Sequence, residues 1–269
     1  MQIVNHSLKN DTFQTSASLT CYLKDLDPRH DDQQMPAIIF VPGGSFTHIQ
    51  PQQAENVALA FSAMHYQCFV LNYSLESDHE PLLPFPVLDL ARAIQLVRYH
   101  AEEWHIDVDK IVPMGFSVGG QVVALFNDFW HDQWFTTQAG VSSLKIQPNA
   151  IILGYPVIDL EMGFPDDEDK LRRLVGTKND FAAQKHVNKF NAPTFTWVTS
   201  DDPMVPVANS LSYCTALAQL NIKQELHIFR HGPHGMALAT NETAWKPDAD
   251  QPHVAHWTTL VNEWLTETL

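Results

Sequence analysis

One stretch decides the fold: Ile111-Val112-Pro113-Met114-Gly115-Phe116-Ser117-Val118-Gly119-Gly120. Its first residues are apolar, as in a strand buried within a sheet, and the apolar residues that follow predict a buried helix. Between them, Gly115 to Gly119 has the G-x-S-x-G spacing of a nucleophile elbow. Glycine is needed on both sides of Ser117 because larger side chains would collide across so tight a turn. The stretch predicts that the elbow lifts the hydroxyl of Ser117 above the sheet edge and points the free N–H groups of a helix N-terminus at the reacting centre.

The composition is typical of one large globular domain, here residues 1–269. The chain has 269 residues, of which 45% are hydrophobic, enough for one large core. The net charge of −15 argues against nucleic acid and anionic membrane surfaces as partners. Three cysteines without a C-x-x-C motif, and an N-terminus without a signal-peptide pattern, predict a cytoplasmic protein with reduced thiols.

Strands and helices alternate along the chain. The apolar runs are long and uninterrupted, which is typical of parallel strands covered on both faces. The prediction is therefore an α/β protein with a mostly parallel central sheet and helices on both faces. Strands are expected at 37–41, 68–71, 111–116, 150–154, 194–199 and 225–229, and helices at 52–64, 87–103, 207–219 and 252–267.

Four further segments have their own patterns. Residues 1–25 alternate loosely and predict a half-exposed strand near a sheet edge. Residues 25–34 predict a loop, and 104–110 a polar turn before the central strand. The segment of about 159–191 contains a charged run and short helical pieces. We interpret it as an insert that lines the pocket and controls substrate size.

A glycine-containing loop, Pro42-Gly43-Gly44-Ser45-Phe46, follows the strand at 37–41. Such a loop can turn its backbone N–H groups toward a ligand and form an oxyanion hole. The predicted donors are the N–H of Val118 and that of Gly44 or Ser45. Ser45 is a weaker candidate for the nucleophile than Ser117 because it has no elbow around it.

Two further candidate groups follow predicted strands, in the order Ser117, Asp202, His234. This is the order expected of an α/β-hydrolase triad. A serine hydroxyl needs a base to accept its proton, which is the role predicted for His234, and Asp202 would orient the imidazole. Asp201 stays an alternative to Asp202, and His231 to His234. Asp202 is favoured by the proline and turn after it, and His234 by its glycine neighbours.

The remaining titratable residues predict no metal and no cofactor. Asp89 lies within the helix expected at 87–103 and is interpreted as a structural ion-pair or capping residue. His253 and His256 are three residues apart on a predicted helix, but no third metal ligand is apparent.

The sequence resembles the α/β-hydrolase superfamily over nearly its whole length, and within it bacterial carboxylesterases related to acetyl esterases and acetylxylan esterases. The matching segments are Pro42–Phe46, Asn72–Leu75, Ile106–Ile111, Gly115–Gly120, Asp202–Pro206 and His231–Gly235. The resemblance implies an α/β-hydrolase fold without a large cap domain, and oxyanion donors at Gly44 and Ser45. By analogy, it also implies small-molecule esters with short acyl groups such as acetyl. One departure is that relatives often have His-Gly-Gly-Gly at the oxyanion loop, so a bracing histidine is replaced by Pro42.

The leading hypothesis is a serine carboxylesterase that hydrolyses short-chain, acetyl-type esters through an acyl-enzyme. One alternative is a peptidase of the prolyl-oligopeptidase type, although those usually carry an added propeller domain. Another is a non-catalytic ligand-binding protein on a hydrolase fold. Dimers or tetramers are common among similar chains, and no interface stripe is legible, so a homo-oligomer stays open.

Overall fold

The computed structural model describes residues 1–9, 14–26 and 33–269, so the loop expected at 25–34 lies mostly outside the described residues. Its centre is an eight-stranded sheet in the order β1-β2-β4-β3-β5-β6-β7-β8. Strand β2 is antiparallel to both β1 and β4, and all the other neighbouring pairs are parallel. The strands are β1 Gln2–Ser7, β2 Ser18–Leu23, β3 Met35–Val41, β4 Gln67–Asn72, β5 Ile106–Phe116, β6 Ile151–Gly154, β7 Thr194–Thr199 and β8 Gln224–Phe229.

Helices cover both faces of the sheet. Buried residues of α2 and α3 pack in the core on one face, and those of α1 and α8 in the core on the other. The two-sided burial explains why β3, β4 and β6 and the second half of β5 are largely apolar, while β7 is buried on both faces with threonines at alternate positions. The helices are α1 Pro51–Ala63, α2 Phe85–Tyr99, α3 Val118–Phe129, α4 Gln133–Ala139, α5 Glu168–Val175, α6 Ala208–Gln219, α7 Pro252–Ala255 and α8 Trp257–Thr268.

Three elements differ from the expectation. The N-terminal segment forms two strands: β1 at the sheet edge is mostly exposed, whereas β2 pairs on both sides and is largely buried. The turn expected at 104–110 is mostly the start of β5, where the pairing register with β3 shifts. The C-terminal helix is divided at His256, which keeps helical backbone angles, so α8 continues after a short α7.

The parallel strands place their carboxyl ends along one edge of the sheet. Strand β3 leads into the 42–46 loop, β5 into Ser117, and β6 into Tyr155. Strands β7 and β8 lead into the segments that carry the two aspartates and the two candidate histidines. Ligand sites in open α/β sheets lie at such an edge, where the loops converge.

The segment 159–191 contains α5 and is fastened to the body of the protein at several points. Backbone N–H groups of Leu82 and Leu83 donate to the carbonyls of Arg173 and Leu174, at 3.0 and 2.9 Å. Nε2 of Gln121 and Nε1 of Trp130, both on the body, donate to the carbonyls of Phe181 and Phe190. The charged run at 166–170 is largely exposed, as a solvated face would be.

Candidate active site

Ser117 lies in a strained turn between β5 and α3. Its backbone angles are φ 56° and ψ −124°, a conformation that costs about 1–3 kcal/mol for a residue other than glycine. Three backbone hydrogen bonds hold it: its N–H donates to Gly154, and its carbonyl accepts from the N–H groups of Gly120 and Val157. A Cβ on Gly115 would collide with the carbonyl of Gly119, so a side chain there is excluded.

Packing beneath Ser117 offsets that strain. The ring of Phe116 lies edge-on to four other rings, or tilted against them, with centroids 4.8–5.9 Å apart. Burying a phenylalanine in such a site stabilises a fold by about 3–5 kcal/mol relative to alanine, which exceeds the cost of the turn. The partners are Phe40, Tyr155, Trp197 and Trp257.

His234 connects Ser117 to Asp202. Its Nε2 is 2.8 Å from the Oγ of Ser117, and its Nδ1–H donates to Oδ2 of Asp202 at 2.7 Å. The side chains of His234 and Asp202 are only 9% and 0% exposed. The second carboxylate oxygen, Oδ1 of Asp202, accepts from the backbone N–H groups of Met204 and Val205, at 2.9 and 3.0 Å. Asp202 is therefore fixed by the turn that follows it, with one oxygen left for the imidazole.

The alternative residues form a pair of their own outside this row. Nδ1 of His231 donates to Oδ2 of Asp201, and the N–H of Gly232 donates to Oδ1 at 3.1 Å. The side chains of His231 and Asp201 are 57% and 48% exposed. The hydrogen bond from His231 holds the pKa of Asp201 below its usual value. The structure brings Asp202 and His234, and not this pair, to Ser117.

The loop predicted to hold the oxyanion donors lies directly against Ser117. A Cβ on Gly43 would be 3.0 Å from the Cβ of Ser117. Gly44, Ser45 and Phe46 have positive φ angles of 132°, 56° and 62°, which turn the peptide planes of the loop. In the described parts of the chain, no hydrogen-bond partner is found for the N–H groups of Gly44, Ser45 or Val118. Because these N–H groups make no hydrogen bond within the described parts of the protein, they can donate to a bound ligand.

The departure at Pro42 is compensated by a buried tyrosine. The hydroxyl of Tyr73 donates to the carbonyl of Pro42 at 2.8 Å, and the N–H groups of Thr47 and His48 donate to that of Gly44. The ring of Tyr73 also stacks edge-on to Phe46. The loop is therefore braced without the histidine that relatives often have there.

Tyr155 is a site residue that the sequence analysis did not identify. It follows β6, and its ring lies edge-on to the imidazole of His234 with centroids 4.9 Å apart. Its hydroxyl oxygen accepts from the N–H of Ala237 at 3.1 Å, and burial raises its pKa. The one signal in the sequence that could have identified Tyr155 is its position directly after a strand that ends at the same sheet edge as Ser117.

A cavity of about 520 Å³ opens at Ser117. Its walls come from the 42–56 segment, Phe116, Tyr155, Met204 and the 234–245 segment. The described lining of this cavity includes no residue of 159–191, and the pocket-lining role of that segment stays a prediction. Trp245, on the rim, was also missed, because it lies in irregular structure where no sequence pattern points to it.

The other candidates are structural or isolated. The Asp89 carboxylate is buried and accepts from Thr15 and from the N–H and Oγ of Ser74, so it is held by neutral donors rather than by an ion pair. Burial raises its pKa despite these bonds. Within residues 1–9, 14–26 and 33–269, no group of three His, Cys, Asp or Glu could hold a metal. Over the same residues, no helix combines the length and apolar character needed to cross a membrane.

Comparison with known proteins identifies the family. The BD-FAE family model matches residues 25–217, which is more than half of the chain. The chain belongs to the BD-FAE family. A Lactobacillus plantarum WCFS1 protein of known structure is 47% identical, covers 100% of this chain and 99% of its own, and has a TM-score of 0.81. The carboxylesterase Cest-2923 of the same strain is 32% identical over 99% of this chain and 98% of its own, with a TM-score of 0.92.

The relatives of this BD-FAE protein include an acetylxylan esterase of Xylanibacter ruminicola, 25% identical over 83% of this chain and 44% of that protein. The chain spans less than half the length of the first curated relatives it matches. The structural matches and the eight-stranded sheet confirm the predicted α/β-hydrolase fold without a large cap domain among the described elements. They also confirm the resemblance to carboxylesterases and acetylxylan esterases.

Proposed function

We propose that this BD-FAE protein is a serine carboxylesterase that hydrolyses short-chain, acetyl-type esters through an acyl-enzyme. The observation that carries the proposal is the row of side chains from Ser117 through His234 to Asp202, joined at 2.8 and 2.7 Å. This is the arrangement that activates a serine hydroxyl for acyl transfer. The carboxylesterases and the acetylxylan esterase among the relatives support the reaction type and the short acyl group.

The reaction divides into two steps. Oγ of Ser117 attacks the ester carbonyl while His234 takes its proton, and the N–H groups of Gly44, Ser45 and Val118 stabilise the oxyanion. Each such donor contributes about 3 kcal/mol to transition-state stabilisation in comparable enzymes. The C–O bond to the alcohol breaks as His234 returns the proton to the departing oxygen. In the second step His234 takes a proton from water, which attacks the acyl carbon; the bond to Oγ breaks, the carboxylic acid leaves, and His234 returns the proton to Oγ of Ser117.

Asp202 orients the imidazole and stabilises its positive charge. Its second oxygen is held by two backbone N–H groups, so the carboxylate does not need to reorganise during the reaction. This fixed arrangement is the electrostatic preorganisation on which such catalysis depends. No step needs a metal or a cofactor.

Hydrolysis of p-nitrophenyl esters from acetate to decanoate tests the proposal. We expect the highest kcat/KM with acetate, a decline as the acyl chain lengthens, and no activity above background for Ser117→Ala. Ser142→Ala, at an exposed serine remote from the elbow in sequence, is the matched control and is expected to retain activity. Near-UV circular dichroism of each variant checks that the fold is unchanged.

Two results would support the alternatives. Cleavage of an aminoacyl-prolyl p-nitroanilide, dependent on Ser117 and without ester hydrolysis, would favour a peptidase of the prolyl-oligopeptidase type. A folded wild-type protein that hydrolyses no ester and does not react with a fluorophosphonate would favour a non-catalytic ligand-binding protein.

A further inference from the structure

Trp245 is a large apolar side chain exposed at the rim of the cavity that contains Ser117. Its side chain is 62% exposed, although an indole is among the side chains that gain most from burial. Tryptophan is enriched at interfaces, where its ring contacts apolar surface and its N–H finds a hydrogen-bond partner. Trp245 is therefore a candidate for contact with a ligand that enters the cavity.

The indole is held in place although it is exposed. Its Nε1–H donates to the backbone carbonyl of His234 at 3.2 Å. The ammonium of Lys246 lies 4.8 Å from the ring centroid. Gly235 lies close to the indole edge, since a Cβ there would be 3.7 Å from Nε1. A ring with few rotatable bonds that is already fixed loses little entropy when a ligand packs on it.

The segment that carries Trp245 is tied to α1, which also contributes residues to the cavity lining. Nε2 of Gln53 donates to the carbonyls of Gly235 and Thr243, at 3.2 Å each. Nδ2 of Asn56 donates to the carbonyl of Glu242 at 2.7 Å. These bonds hold the 235–243 segment against α1, and the indole itself is bonded to the backbone of His234, so its position relative to Ser117 is defined.

The position of Trp245 relates it to the alcohol half of an ester. In the proposed reaction His234 returns a proton to the departing alcohol oxygen, so the alcohol half lies on the His234 side of Ser117. Trp245 is bonded to the backbone of that same histidine. Among the other lining residues, Gln50, Gln52 and Asn56 are polar and uncharged, and Glu242 is the one carboxylate in the described lining.

We propose that Trp245 is the specificity-determining residue of an alcohol-side subsite, where its indole stacks on a flat ring in the alcohol half of the ester. This inference rests on the proposed esterase function. The ligand class is a neutral alcohol that presents a ring face, either aryl or pyranose, in preference to a linear alkyl alcohol. Both kinds of ring stack on an aromatic side chain, the first through its π face and the second through its C–H face.

Three acetates of primary alcohols test the subsite: benzyl acetate, methyl 6-O-acetyl-α-D-glucopyranoside and n-hexyl acetate. The acyl group is the same in all three, so differences report on the alcohol half. We measure kcat/KM by acetate release for the wild type, Trp245→Ala, Trp245→Leu and Trp245→Phe. For the alanine and leucine variants we expect the ratio of a ring ester to the hexyl ester to fall about tenfold, mainly through KM.

The phenylalanine variant keeps a ring but loses the indole N–H, and we expect its ratio to stay within about threefold of the wild type. Trp134→Ala, at another exposed tryptophan outside the cavity lining, is the matched control and is expected to leave the ratio unchanged. The leucine variant keeps the experiment decisive if the alanine variant does not fold, because it retains apolar bulk without a flat face.

The outcomes separate cleanly. A fall for both ring esters, or for only one of them, supports the subsite and in the second case identifies the ring as aryl or pyranose. An equal loss of kcat/KM on all three esters would show that Trp245 acts only through the His234 backbone. An unchanged ratio of ring ester to hexyl ester would show that Trp245 contacts no ring. Either result overturns the inference. If no ester is hydrolysed in a Ser117-dependent way, the proposed function fails and the subsite with it.

Discussion

Two aspartate–histidine pairs lie side by side in this protein and differ in what surrounds them. Asp202 with His234 and Asp201 with His231 are joined by the same kind of hydrogen bond, and their aspartates are adjacent in sequence. The first pair is nearly inaccessible and reaches Ser117, whereas the second is about half exposed. The same Asp–His hydrogen bond therefore differs between the two pairs in its burial and in whether the histidine also contacts Ser117.

The difference follows from the turn after β7. Oδ1 of Asp202 is held by the backbone N–H groups of Met204 and Val205, whereas Asp201 bonds His231 and Gly232. Asp202 faces inward, where it accepts hydrogen bonds from two backbone N–H groups and an imidazole, and Asp201 faces solvent. A water-excluded pair keeps its orientation and its full electrostatic effect, whereas an exposed pair is screened.

Removing each histidine is the change with the largest expected effect. We expect His234→Ala to lower kcat about 10⁵-fold on p-nitrophenyl acetate, since the serine loses its base. His231→Ala is expected to stay within about twofold of the wild type, as for an exposed surface residue. Steady-state kinetics with titrated, folded protein checks both. Comparable losses in the two variants would contradict the assignment of the base to His234.

Replacing each aspartate by its amide separates the pairs further. Asp202→Asn is expected to lower kcat about 10⁴-fold, because an amide can favour the wrong imidazole tautomer and cannot stabilise its charge. Asp201→Asn keeps the shape of the exposed partner and should change kcat less than about twofold. The same assay measures both variants. A large loss in Asp201→Asn with little change in Asp202→Asn would reverse the two roles.

The buried pair also has a neighbour that the exposed pair does not. Tyr155 packs on His234 and accepts from the N–H of Ala237, whereas no ring in the described parts of the chain contacts His231. Tyr155→Phe leaves that buried N–H unpaired, at a cost of about 1 kcal/mol. We expect kcat/KM to fall about fivefold, with Tyr99→Phe, at an 82% exposed tyrosine, as the unaffected control.

The pH profile of kcat/KM distinguishes positioning from simple destabilisation in this variant. A positioning role predicts that the shape of this profile changes together with the rate. A lower melting temperature with an unchanged rate would show that Tyr155 serves only the fold.

The fold could be predicted because its signals are local. The uninterrupted apolar runs and the glycines around Ser117 reflect constraints within ten residues. The mostly parallel sheet predicted from the runs is confirmed, as is the α/β-hydrolase fold implied by the resemblance. The start of β5 was wrong because the polar residues at 107–110 resemble a turn, whereas they extend the strand after a register shift against β3. Whether these residues form a turn or a strand is decided by their pairing with β3, which the local sequence does not show.

Local sequence favoured Asp202 and His234 over Asp201 and His231, but it could not exclude the second pair. Both aspartates follow β7 and both histidines follow β8, so either pairing fits the chain order. Tyr155 and Trp245 reach His234 only through tertiary contacts, one by its ring and one by a bond to the backbone. Such contacts depend on how loops close over the sheet edge, which periodicity does not encode.

The exposed pair is expected to affect stability alone, and only slightly. The hydrogen bond from His231 lowers the pKa of Asp201 in the folded protein, so folding favours the ionised carboxylate. That contribution is complete above the ordinary aspartate pKa and is lost as pH falls through the lower folded value. Melting temperatures should therefore show wild type slightly above Asp201→Asn at pH 5, with the gap closing as pH falls toward 3. If the difference in melting temperature widened on acidification, the folded protein would stabilise Asp201 in its protonated form. The exposed Asp201–His231 pair would then not differ from the buried Asp202–His234 pair in the way described above.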